Sequence, residues 1–140
     1  MLIRGASIFD GETIKEGLDV RIEGERIVRL GHQLQPLSGE EVVEAQGKVL
    51  SPGFVDVHIH GFGGRDTMQG KEAVLFMAEN MTRHGVTGFV PTTMCATIQE
   101  THFAVSGVKA AMEEQTAGAR VLGCHMEAPF LNPAKKGAQR

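Results

Sequence analysis

Pro52-Gly53-Phe54-Val55-Asp56-Val57-His58-Ile59-His60-Gly61 is the stretch on which the reading of this chain turns. A proline and a glycine punctuate the chain, and the residues after them alternate between apolar and polar, the period-two pattern of a β-strand. On such a strand Asp56, His58 and His60 share one face, and Val55, Val57 and Ile59 share the other. The apolar face is expected to pack under helices while the polar face looks into a barrel. Two imidazoles two residues apart lie about 7 Å from each other at the backbone and can converge on one cation, for which neutral imidazole is a common ligand. Hydrogen-bonded surface histidines are the plainer alternative for a lone pair of this kind. The glycines of Gly61-Phe62-Gly63-Gly64 favour the metal half-site, because they admit close approach of a ligand to the backbone.

Downstream, strands alternate with helix-length segments, as in a parallel sheet built from strand-helix-strand units. Strand candidates begin near Val55, Gly88 and Val121, a period of about 33 residues, close to the roughly 30 typical of such a unit. The spacing predicts a first helix over residues 71–84, with Val74, Met77, Ala78 and Met81 on its inner face and Gly85 as a left-handed cap. A second helix is expected over residues 98–115, opened by a capping box of Thr97 and Glu100, with Ala104, Val108, Ala111 and Met112 inside. Residues 86–93 are rich in β-branched side chains and read as the strand between them, Thr92 and Thr93 being structural. At the end of the third strand, alternation pairs His125 with Glu127, and Pro129 ends the strand. If that face also looks inward, Glu127 offers an anionic oxygen at the mouth and His125 sits deeper as a supporting hydrogen-bond donor. A lone strand glutamate is more often a solvated surface group, so Glu127 gains its weight from context.

Upstream of residue 52 the chain alternates short β-branched runs with turn signals: residues 2–9, 18–22, 26–30 and 42–45, separated by Asp10-Gly11, Glu23-Gly24 and a polar stretch over 31–41. These read as a small β unit, with the domain boundary at Pro52-Gly53. The composition is that of an ordinary globular protein, with 41% hydrophobic and 22% charged residues. A net charge of -3 leaves no basic excess for nucleic acid or an anionic membrane surface. No run resembles a secretory signal or a bilayer span, so a cytoplasmic location is the expectation. Cys95 and Cys124 form no Cys-x-x-Cys pair and read as buried thiols. His32, His84 and His102 have no partner at metal spacing and read as surface or helix-end residues.

Three segments together resemble the N-acetylglucosamine-6-phosphate deacetylase family of the amidohydrolase superfamily. They are the 52–61 strand, Gly85-Val86-Thr87 with Pro91-Thr92-Thr93, and His125-Met126-Glu127-Ala128-Pro129-Phe130-Leu131-Asn132-Pro133-Ala134-Lys135-Lys136-Gly137-Ala138-Gln139. The first is shared by many amidohydrolases; the last is much narrower and favours this family over dihydroorotase-like or dihydropyrimidinase-like relatives. The resemblance runs through all 140 residues. It implies an α/β fold: part of a small β-sandwich over residues 1–51, then the first three strand-helix units of a (β/α)8 TIM-type barrel over 52–140.

By the resemblance, Glu127 is the principal ligand of a divalent metal, zinc or iron, with His58 and His60 holding a second ion in members that keep both histidines. Asp56 and His125 support these ligands. Ala138 and Gln139 face the amino-sugar phosphate substrate, Ala138 through its backbone, and the full-length protein is a homodimer. Ala128 departs from the glycine usual after the glutamate, and would be strained if φ there is positive. No catalytic residue falls within this chain, the general base being expected beyond Arg140 together with two further histidines and a phosphate-binding arginine. The rival readings are another amidohydrolase, such as an amino-acid deacylase or cyclic amidase, and a catalytically inactive metal-binding fragment.

Overall fold

The computed structural model describes residues 1–128 and 130–139. The chain divides into two compact units, Met1–Pro52 and Gly53–Arg140. The first is built on β1 (Leu2–Phe9), β2 (Ile14–Glu23), β3 (Arg26–Gly31), β4 (Val42–Glu44) and β5 (Val49–Leu50). Antiparallel pairing links β3 to β2 and β2 to β1, and the other edge of β1 takes β4 and then β5 in parallel. Leu2, Ala6 and Val20 are its most deeply buried apolar side chains. The buried carboxylate of Asp19 accepts hydrogen bonds from the backbone N–H groups of Gly5 and Leu34 at 2.8 and 2.7 Å, which satisfies a charge that would otherwise be costly to bury. Arg21 and Glu40 form a second such anchor, with Arg21 Nε donating to Glu40 Oε1 at 2.8 Å. The guanidinium holds the Glu40 carboxyl below its ordinary range.

The second unit carries a three-stranded parallel sheet in the order β10-β9-β6, made of β6 (Phe54–Ile59), β9 (Val86–Pro91) and β10 (Arg120–Val121). A small antiparallel hairpin, β7 (Gly61–Phe62) and β8 (Arg65–Asp66), follows β6. Helices α1 (Lys71–Met81) and α2 (Ile98–Glu114) make the two crossovers. Helix α1 ends through a 3-10 turn, Thr82–His84, on Gly85, whose φ of 80° is the left-handed cap expected from the sequence. Helix α2 starts at the expected capping box: Thr97 accepts from Glu100 N, and the Glu100 side chain accepts from Thr97 N. Val74, Met77, Ala78 and Met81 of α1 and Val108 and Ala111 of α2 close over Phe89, Ala119 and Val121 as one apolar core.

Three expectations need correction. On the apolar face of β6 only Ile59 packs against the core; Val55 and Val57 are 57% and 66% exposed. The reason is position: β6 is an edge strand, and the two helices cover the β9 and β10 side of the sheet. On α2 the buried residues are Thr101, Ala104, Val108 and Ala111; Met112, although four residues after Val108, lies at the border of that stripe in the last turn of the helix and is 44% exposed. Finally, β10 ends at Val121, so His125 and Glu127 stand beyond it in irregular chain, where His125 makes a single bridge to Thr92. The expected strand end at Pro129 lies outside the described residues. His32, His84 and His102 are exposed, as expected.

Candidate metal centre

The site gathers at the carboxyl end of the parallel sheet. Strand alternation puts His58 and His60 on one side of β6, and the chain after β10 brings Glu127 to them. His60 Nε2 stands 3.0 Å from Glu127 Oε2, His58 Nε2 stands 3.2 Å from the same oxygen, and the two Nε2 atoms are 3.4 Å apart. These three side chains are about one-third to one-half exposed, open to a small molecule.

Hydrogen bonding decides what can fill the gap between them. The carbonyl of Thr92 lies 3.2 Å from His60 Nδ1 and can only accept, so Nδ1 carries the proton. In neutral His60 the Nε2 lone pair then points at the lone pairs of Glu127, and only a proton or a cation between them makes a 3.0 Å approach favourable. One proton serves two atoms, whereas three donor atoms share this space. Donors on a tetrahedron around zinc at about 2.0 Å are roughly 3.3 Å from each other. The three separations bracket that value, and the set of two imidazoles and one carboxylate suits zinc or iron. The residues present fit a divalent metal.

The neighbouring residues hold this arrangement. Asp56 Oδ1 accepts from the backbone N–H of His58 at 3.1 Å, which steadies the strand without touching the imidazole. The His125 ring meets the His58 ring edge to face, with centroids 4.8 Å apart. Its Nδ1 is 3.5 Å from Thr92 Oγ1, and its backbone N–H donates to the Pro91 carbonyl at 3.0 Å. The glycine after His60 answers to packing, not to a ligand: a Cβ at Gly61 would collide with the Arg65 carbonyl across the β7–β8 hairpin. Ala128 has φ of 59°, the left-handed region in which alanine is strained.

Ala138 is exposed in a turn, while Gln139 is half-buried and its Oε1 accepts from Cys95 N at 2.8 Å. Cys95 lines a cavity of about 570 Å³ together with Asp66, Met68, Met94, Gln99 and Phe103. Burial pushes the Cys124 thiol above its ordinary value, so that group is held as a neutral thiol. Sequence reasoning missed Thr92, whose carbonyl fixes the His60 tautomer; no residue-type signal marks it, because every residue carries a carbonyl.

The model of the amidohydrolase family matches residues 49–139. An N-acetylglucosamine-6-phosphate deacetylase of Bacillus subtilis is 35% identical over 144 residues, covering 96% of this chain and 35% of that protein. An N-acetylgalactosamine-6-phosphate deacetylase of Escherichia coli O157:H7 is 35% identical over 98 residues, covering 69% of this chain and 26% of that protein. Among solved structures, the N-acetylglucosamine-6-phosphate deacetylase of Thermotoga maritima superposes with a TM-score of 0.80 at 30% identity, over 100% of this chain and 35% of that one. The described chain is a mixed α/β fold similar to the amino-terminal region of that enzyme. It spans about a third of the length of the curated relatives it matches.

Proposed function

We propose, from the premise that this chain belongs to the amidohydrolase family, that the whole protein is a metal-dependent hydrolase that deacetylates N-acetylglucosamine-6-phosphate to glucosamine-6-phosphate and acetate. The observation that carries this reading is the meeting of His58, His60 and Glu127 around a space whose edges, 3.0 to 3.4 Å, fit one divalent ion. The relatives' names supply the substrate class. We further read residues 1–51 as part of a small β-sandwich and 52–140 as the opening three strand-helix units of a (β/α)8 barrel; the likeness to the Thermotoga maritima enzyme supports this.

A divalent metal held here would polarise the acetamide carbonyl and acidify a water molecule, the two effects that make a neutral amide hydrolysable near neutral pH. Glu127 contributes the anionic ligand and His58 and His60 the neutral ones. Thr92 and Asp56 orient the histidine pair through the His60 ring and the His58 backbone. His125 packs beside His58 and limits its rotation. Ala138 and Gln139 are proposed to meet the sugar, Gln139 being braced by Cys95 N through its oxygen, which leaves its amide N–H groups for a ligand.

The test is acetate release from N-acetylglucosamine-6-phosphate by the purified protein, with metal content measured alongside. Glu127→Gln is expected to lower turnover at least a thousandfold and to empty the site; unchanged turnover and metal content would remove Glu127 from it. The 35% identity to the galactosamine enzyme favours including the C4 epimer, N-acetylgalactosamine-6-phosphate, as a second substrate. Preference for that epimer would move the assignment within the same substrate class.

A further inference from the structure

We infer that Thr92 is the positioning residue of the metal centre, the side chain that fixes the spacing of the two histidines by holding the peptide between them. The inference rests on the metal reading of His58, His60 and Glu127. Ile59 sits between the two histidines, and Thr92 grips its backbone on both sides. Thr92 Oγ1 accepts from Ile59 N–H at 3.1 Å, and Thr92 N–H donates to the Ile59 carbonyl at 2.8 Å. The carbonyl of the same residue accepts a hydrogen bond from His60 Nδ1–H at 3.2 Å.

A strand pair does not normally need a hydroxyl for this work, because ladder carbonyls and N–H groups suffice. Here the ladder is irregular: the register between β6 and β9 shifts between Asp56 and Ile59, and Ile59 N–H meets the Thr92 hydroxyl where a ladder carbonyl would otherwise accept it. The Thr92 hydroxyl fills the break. It accepts from Ile59 and donates to the Val90 carbonyl at 3.1 Å, so both of its roles are occupied. Thr92 is fully buried, and water cannot stand in for it. Its hydroxyl also lies 3.5 Å from Nδ1 of His125, the ring that packs against His58.

Removing the hydroxyl while keeping the shape leaves Ile59 N–H unpaired in a dry place and frees the His58-Ile59-His60 segment to shift. Residues that orient metal ligands typically change metal affinity by about 10- to 100-fold when replaced. The experiment measures zinc affinity by competition with a chromophoric chelator, for the wild-type protein, Thr92→Val and Thr92→Ser, with metal-free melting recorded for each. We expect Thr92→Val to bind zinc about 10- to 100-fold more weakly and Thr92→Ser to return to within about threefold of wild type.

Equal affinity for wild type and Thr92→Val overturns the role of Thr92 and leaves the metal site standing. A wild-type protein that takes up no divalent metal overturns the metal reading, and this inference with it. If Thr92→Val does not fold, Thr92→Cys replaces it, since a thiol is a much weaker donor and acceptor than a hydroxyl of similar placement. Cysteine and serine variants of equal affinity would then overturn the proposal, and a cysteine variant at least fivefold weaker would support it.

Discussion

Ala128 follows the proposed metal ligand directly and holds φ at 59°, a conformation that costs a residue with a Cβ roughly 1–2 kcal/mol. Glycine removes that strain but gives back about 0.5–1 kcal/mol in unfolded-chain entropy. The strain is the larger quantity, so Ala128→Gly is expected to raise stability by about 1 kcal/mol or slightly less, read as a higher urea midpoint with an unchanged slope. A lowered midpoint would mean that the chain after Glu127 takes another backbone path. At this scale the sequence was readable wherever chemistry sits in a side chain on a regular element. His58 and His60 alternate on a strand and declare a shared face. Thr92 was not readable, because half of its role is played by its carbonyl, which every residue has, and the other half depends on a register shift that only the folded ladder shows.

Among the elements, α1 and α2 were legible because their ends carry local chemistry, a glycine cap for one and a capping box for the other, that acts within a single turn. Met112 keeps the same helical spacing as Thr101 and is still exposed, because spacing gives the direction of a stripe and not how far along the helix the sheet covers it. The extent of β10 was less legible: nothing in Leu122 or Gly123 forbids a strand, and tertiary pairing alone stops it at Val121. The packing of α2 against the start of α1 yields a prediction in which two effects oppose each other. Helix propensity favours replacing Gly107 by alanine by about 1 kcal/mol. A Cβ at Gly107, however, would stand 2.7 Å from both Gly70 Cα and Lys71 N, and these are backbone atoms that cannot rotate away. Overpacking typically costs about 1–3 kcal/mol, and a clash with backbone falls toward the upper end, so Gly107→Ala is expected to destabilise by up to about 2 kcal/mol net. The sign is what a thermal melt checks: a stabilised variant would show that the helices separate freely.

On the scale of the whole chain, the three-stranded sheet leaves β6 with one neighbour among the described residues, and its free edge is flanked on one face by Val55 and Val57, at 57% and 66% exposure. Open N–H and C=O groups beside apolar side chains are a template for pairing with another chain, and natural edge strands commonly carry lysine to prevent it. Nothing in residues 54–59 supplies that protection: the one charged side chain, Asp56, lies on the opposite face and is half-buried. The 140-residue chain is therefore expected to self-associate as its concentration rises, visible as a concentration-dependent sedimentation coefficient. Val55→Lys combined with Val57→Lys should weaken that association at least tenfold, because each added ammonium must be desolvated to stack against its copy. The histidine face points the other way, so zinc uptake by the double variant should stay within about threefold of the parent. A parent chain that sediments as a single monomer at all concentrations would mean that this edge is protected by something other than charge. Association that persists undiminished in the double variant would place it on another surface.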